Sequence, residues 1–268
     1  MTGMFLRLTE DEVAALDMLY VARFAVDPRE PAPALDPADG VFPYYNHELA
    51  KVFLALGIKV TPCRDLSRLA ATVPAHNYVF TIYNRAPMRN CELFVSTICE
   101  SVGVPYLGAP PNVRALAEDK YWTKLMAKGL GLPVPEGTVY RHEHDLSRAP
   151  AFDGPYFIKP RFGAASEEIA VDSAQDSWAE AQLKAAEMLS RGKEVLVEQC
   201  ISGTDLTVPV LGGWPPKVLA VAEEISDLPN GIATYRQKRL LDKGRQRSIC
   251  EDQAVVETVT GHVRRFVG

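Results

Sequence analysis

The stretch PYFIKPRFGAASEEIAV, residues 155–171, decides how this sequence folds. Tyr156, Phe157 and Ile158 make an apolar, β-prone run with Lys159 inside it. An ammonium in such a run is costly to bury without an anionic partner. The residues that follow, Gly163, Ala164, Ala165 and Ser166, form a small-residue loop that lets backbone N–H groups approach an anion. The combination invites a triphosphate. It also fits a lysine on a strand edge whose head group reaches out to solvent.

Downstream, EVLVEQCISGTDLTVPVLGG (Glu194 to Gly213) supplies Glu198, a strand backbone from Gln199 to Ile201 read as a free edge, and Asp205 just after a glycine turn. A purine amine needs acceptors and a ribose diol is well held by a carboxylate, although Asp205 also reads as an ordinary turn carboxylate. Upstream, Lys120 lies in EDKYWTK. The basic run Arg236 to Arg247 fits either a lid over phosphates or a plain charged loop. Cys200 lies within the Glu194–Gly213 stretch without any triad-like context and reads as a packing residue.

Periodicity organises the rest. Thr9 or Asp11 caps a first helix carrying Val13, Leu16 and Leu19, and residues 28–40 form a Pro-rich loop. From Asn46 a helix places Leu49, Val52, Phe53 and Leu56 on one face and ends at Gly57. Strands follow at Ile58–Val60, Tyr78–Asn84 and Val104–Leu107, with a helix around Leu93 to Ile98 between the last two. This is a small parallel α/β lobe. One helix from Val113 to Lys128 and a Gly/Pro-rich connection then lead to strand-like runs at GTVY, PYFIKP, EIAVD, EVLVEQCI, DLTVPVLGG and KVLAVAEEI. A helix around Trp178 to Leu189 interrupts them and a last helix runs from Asp252 to Gly268, which suits an antiparallel sheet with helices on one side. The expected domains are 1–110 and 111–268, in an α/β (α+β) fold.

Composition narrows the function. Among 268 residues, 29 are basic and 34 acidic, for a formal charge of -5, so no positive field gathers nucleic acid or anionic membrane. Five widely spaced cysteines contain no CxxC pair, which argues against a disulfide framework and a thiolate zinc site. No signal-peptide core or membrane span is evident, and a cytoplasmic protein with a small-molecule partner is expected. The HEHD stretch, His142 to Asp145, reads as a solvated loop rather than a metal site.

The ordered motifs resemble those of the D-alanine–D-alanine ligases and their ATP-grasp relatives. Residues 103–137, with their DK and TK pairs, resemble the segment entering that family's ATP-binding domain; residues 155–171 its lysine strand and phosphate loop; residues 194–213 its hinge strand; and ATYRQKRL (Ala233 to Leu240) its lid lysine. The resemblance implies an ATP-grasp fold with an N-terminal parallel α/β lobe, a central small lobe and a truncated C-terminal lobe. It implies that Lys120 and Lys159 bind the α- and β-phosphates under Ser166. Glu198 and the backbone of Gln199 and Ile201 would hold adenine, Asp205 the ribose, and Lys238 the γ-phosphate. The implied reaction activates a small carboxylate or amino acid as an acyl phosphate that an amine then attacks, in a homodimer.

Departures from the family pattern set further expectations. The family continues past the final helix into strands carrying an Asp, a Glu and an Asn that bind two magnesium ions, so the Mg2+ ligands are expected beyond residue 268 and none within this chain. Glu223 and Glu224 are adjacent strand residues with opposite faces, and the pair reads as a solvated edge; Asp227 is the other substitute weighed. Without those ligands phosphoryl transfer loses a principal source of charge neutralisation, and activity of this chain alone is left open. A non-catalytic ATP-binding module and an ATP-grasp kinase are the alternatives. YNRAPMRNCE stands where the family carries its HGxxGED-like motif, and Arg239 follows the lid lysine in place of Tyr. Arg85, Arg89 and Arg161 are candidates for grasping a carboxylate, because a guanidinium fork matches two oxygens.

Overall fold

The computed structural model describes residues 8–34, 39–82, 91–164, 166–212, 215–238 and 244–267. Its chain forms two compact units, which among these residues comprise 8–118, and 119–238 together with 244–267. No helix among the described residues is long and apolar enough to cross a membrane.

In the first unit, Thr9 caps α1 (Glu10–Ala14) through a reciprocal pair of hydrogen bonds with Glu12. The helix expected to reach Leu19 ends at Ala14. Leu19 lies instead at the centre of β1 (Asp17–Val21), where Met18 to Val21 are all buried. Next come α2 (Phe42–Ala55), β2 (Lys59–Cys63), α3 (Leu69–Thr72), β3 (Tyr78–Thr81), α4 (Leu93–Val102) and α5 (Pro111–Glu118). The strands form a parallel sheet in the order β2-β1-β3. Met18 and Tyr20 pack with Ala50 and Phe53 on one face, while Leu19 and Val21 pack with Leu69, Val95 and Cys99 on the other. A strand covered on both faces is apolar throughout. On α2 the buried positions are Pro43, Asn46, His47, Ala50 and Phe53, whereas Val52 of the expected stripe and Leu56 just past the helix are exposed. The strand expected at Val104–Leu107 is a single parallel bridge between Val79 and Tyr106.

The second unit opens with α6 (Lys120–Gly129). The expected single helix from Val113 to Lys128 is therefore two helices. Asp119 breaks it, adopting an extended backbone while its carboxylate accepts the N–H groups of Tyr121 and Trp122. Then follow β4 (Gly137–Tyr140), β5 (Tyr156–Pro160), β6 (Ala174–Gln175), α7 (Trp178–Ser190) and β7 (Val195–Gln199). The four strands form an antiparallel sheet in the order β4-β7-β5-β6. Tyr140, Tyr156, Ile158, Val195 and Val197 face α7 and pack on Ala181, Ala185, Met188 and Leu189. Side chains alternate across a strand, so Phe157, Lys159 and Glu198 take the opposite face. The EIAVD run forms no strand: Glu168 has φ +61° and residues Val171–Ser173 make a 3-10 turn.

Beyond the hinge lie β8 (Asp205–Thr207), β9 (Val210–Leu211), β10 (Lys217–Val218), β11 (Ala222–Ser226), α8 (Tyr235–Lys238), β12 (Arg245–Ile249) and α9 (Gln253–Val267). β9 and β10 pair as a hairpin, and β12-β11-β8 form an antiparallel sheet. The described part of the basic run is thus a short helix and a strand, not a loop.

Candidate functional site

The face of the four-stranded sheet turned away from α7 floors a cavity of about 450 Å³. Lys120, Lys159 and Lys238 line it together with Ser166, Glu198, Gln199, Ile201 and Asp205. The residues that the resemblance assigns to the nucleotide therefore all border one space. Pro135, Phe157, Ile169, Ile232 and Ala233 supply apolar wall. A cavity of this size and mixed lining suits a small ligand with an apolar ring and a charged tail.

The floor is an ion cluster. Glu198 is 7% exposed, and its two oxygens accept from different lysines, Oε1 from Lys159 and Oε2 from Lys124 at 2.7 Å. Phe157 stands directly opposite Glu198, which makes Lys159 its diagonal neighbour across the strand pair. Lys124 lies one helical turn beyond Lys120 and shares its face of α6. Gly137 stands opposite Glu198 on β4, and a Cβ there would meet Leu196 at 3.2 Å and the Lys124 stem at 3.5 Å. Burial pushes the Lys124 ammonium below the usual lysine range, and the hydrogen bond and charge of Glu198 oppose that shift.

Arg161 corrects another expectation. It is 5% exposed and does not face the cavity's contents. Its Nε and Nη2 donate to Asp119, the latter at 2.6 Å, and Nη1 donates to Glu194 at 2.9 Å. A guanidinium so consumed grasps no substrate carboxylate. Arg85, Arg89 and Arg239 lie outside the described residues.

The cover is built differently. Gly163 (φ +95°), Ser166 (φ +55°) and Glu168 (φ +61°) all take left-handed backbone within one loop, and Ala165 lies outside the described residues. Lys120 Nζ donates to the Gly163 carbonyl at 2.6 Å. Ile169 N–H donates to Ser166 O, and Tyr235 N–H donates to Ile169 O, which ties the loop to α8. On α8, burial and the nearby charge of Arg245 push Lys238 below the usual lysine range, against the opposing charges of Asp205 and Glu224. Gln237, 1% exposed, anchors the same turn by accepting from Ser226 Oγ and donating to Asp227.

Two further expectations change. The N–H of Gln199 donates to Glu136 O and that of Cys200 to Pro155 O, so the hinge backbone is not an open edge at those two residues. Glu224 is not solvated either: it is 6% exposed and accepts from Thr207, Arg245 and Arg247. Burial pushes the Cys200 thiol up, helped by the charges of Glu198 and Asp176, so it is a poor nucleophile. His142 and His144 stack in the HEHD turn, and no cluster of three metal-binding side chains exists among the described residues. Lys124, Asp119 and Glu194 carried no role in the sequence reading, and Arg161 carried a different one. The DK and TK pairs and the one-turn spacing of Lys120 and Lys124 are the local signals that mark α6.

No protein-family model matches the chain. Curated proteins do. The chain is 32% identical over 215 residues to the D-alanine–D-alanine ligase of Oleidesulfovibrio alaskensis, covering 79% of this chain and 66% of that one. It is 33% identical over 179 residues to the D-alanine–D-alanine ligase of Ectopseudomonas mendocina, covering 64% and 54%. The chain thus spans between half and two thirds of the length of these curated relatives. Among solved structures, the D-alanine–D-alanine ligase from Bacillus anthracis complexed with ATP shares the fold at TM-score 0.61 and 13% identity, over 94% of this chain and 78% of that one. D-alanyl-alanine synthetase A from Vibrio cholerae does so at TM-score 0.55 and 18% identity, over 71% and 57%. With a parallel α/β unit, a lysine-bearing antiparallel sheet and these relatives together, the chain belongs to the D-alanine–D-alanine ligase-like proteins of the ATP-grasp fold.

Proposed function

We propose that the cavity binds ATP and that the protein is an ATP-dependent carboxylate–amine ligase acting through an acyl phosphate. The observation carrying this reading is the convergence of Lys120, Lys159 and Lys238, from three separate elements, on one half-apolar cavity. Lys120 and Lys159 bind the α- and β-phosphates, and Ser166 covers them. Adenine lies against Phe157 and Ile169 near Glu198, Gln199 and Ile201, and Asp205 holds the ribose. Lys238 neutralises the γ-phosphate as charge develops on it, where fixed electrostatics are most effective. Because Glu198 already holds Lys159, that lysine serves the nucleotide only by sharing or leaving its carboxylate.

A small amino acid or carboxylate is the proposed second ligand, and the curated relatives make D-alanine the first to assay. Residues 1–110 and 111–268 are proposed as the domain preceding the ATP-grasp and the ATP-grasp itself. A cytoplasmic homodimer is carried forward on the resemblance alone. Magnesium does not fit the residues described here. Glu224 is taken up by Arg245, Arg247 and Thr207, and no group of three metal-binding side chains occurs among the described residues, so no step is assigned to a metal in this chain.

The test is direct titration with ATP. Lys159→Ala is expected to lower nucleotide affinity about tenfold or more, the usual worth of a lost charge-assisted contact. Unchanged affinity in that variant sinks the assignment.

A further inference from the structure

We propose that Arg161 is a positioning residue: its guanidinium, clamped between Asp119 and Glu194, sets the lysines of α6 and β5 at the spacing that holds a nucleotide's phosphates. The inference rests on the ATP reading above and adds to it a group that never touches the ligand. Three elements meet at this one side chain. Asp119 caps α6, which carries Lys120 and Lys124. Glu194 precedes β7, which carries Glu198. Arg161 itself directly follows β5, which carries Lys159.

Its backbone closes the same joint. Arg161 N–H donates to Glu194 O at 2.8 Å, and Lys120 N–H donates to Arg161 O at 3.1 Å. Phe162, Tyr121 and Trp122 stand with ring centroids 5.0 to 5.9 Å from the guanidinium carbon, and the clamp itself is buried. The hydrogen bonds it donates to Asp119 raise the Arg161 pKa further, so the group stays charged throughout. A planar fork can bond two carboxylates in fixed directions at once; an ammonium is a point charge that cannot fix their angle. Arg161→Lys therefore keeps the charge and loses the geometry.

The experiment compares ATP with adenosine by calorimetry on the intact chain, alongside a melting curve. Adenosine lacks the phosphates, so misplaced lysines should leave it untouched. In Arg161→Lys, ATP affinity should fall about tenfold while adenosine affinity holds. Equal weakening of both ligands, following a lower melting temperature, would mark a merely structural residue and overturn the inference. So would an unchanged ratio of the two affinities beside a wild type that binds ATP. A wild type that binds neither ligand overturns the nucleotide reading and this inference with it. If Arg161→Lys does not fold, Glu194→Gln, which keeps the acceptor and drops its charge, is read the same way. There the ratio should fall about threefold, and an unchanged ratio overturns the proposal.

Discussion

The floor and the cover of the cavity handle charge in opposite ways. On the floor and in the clamp beside it, Lys124, Lys159, Glu198, Asp119, Arg161 and Glu194 have side chains no more than 20% exposed and pair with one another, and only Glu194 has an exposed partner besides, Arg141 at 3.5 Å. The cover loop is held by pairs at its rim. Glu168 meets Arg191 at 2.7 Å with the arginine 46% exposed, and Glu167 meets Lys193 at 3.8 Å with the lysine 41% exposed. Breaking a buried pair strands a charge, whereas an exposed pair contributes little and is screened by salt. The floor is consequently set when the unit folds. The cover instead carries left-handed backbone at Ser166 and Glu168, a local cost that its surroundings sustain.

The largest effect that can break this contrast is on the floor. Glu198→Leu removes the anion shared by two lysines and should destabilise the protein by about 3 kcal/mol in denaturant unfolding. A loss below about 1 kcal/mol would mean that water already serves both lysines, and floor and cover would no longer differ in kind. A smaller effect is expected on the cover. Ser166→Val puts a β-branched residue at φ +55° and should cost about 1 to 2 kcal/mol, while Ser166→Gly should come near wild type. Valine as stable as serine would show that the loop adopts another backbone. The smallest effect is a slope with pH. Burial lowers the Lys124 pKa in the folded state, so just below the ordinary value of 10.5 the unfolded chain binds more protons and stability rises with pH. Lys124→Met should flatten that rise; an unaltered slope would assign it to another group.

How much was legible in advance follows the same divide. Lys159 announced itself because a cation in an apolar strand is locally anomalous. The run Tyr156 to Pro160 then alternates core and cavity, as its β-prone residues require. Arg161 was read as a grip on a substrate carboxylate, since its true partner Asp119 lies 42 residues away and no local pattern joins them. Lys124 and Glu198 are 74 residues apart and were equally silent as a pair. Glu224 was misread because its arginines sit on β12, in a stretch whose composition suggests a charged loop. β1 was missed for another reason. A strand buried on both faces shows no alternation, and Val13, Leu16 and Leu19 chance to fall at helical spacing across its start.

Glu198 gives the site its own counter-ion. A triphosphate reaching Lys159 would not meet a bare cation; it would share the lysine with a carboxylate already seated there or displace it, and where it displaces it binding is an ion exchange within the protein. Counter-ions released to bulk normally make such affinities fall steeply with ionic strength. Here the displaced anion stays tethered to β7, and the electrostatic gain is the difference between two anions competing for the same lysine. Selectivity for a phosphate chain over any other anion then resides in what outcompetes Glu198, and simple halide or acetate has no advantage over a carboxylate held in place.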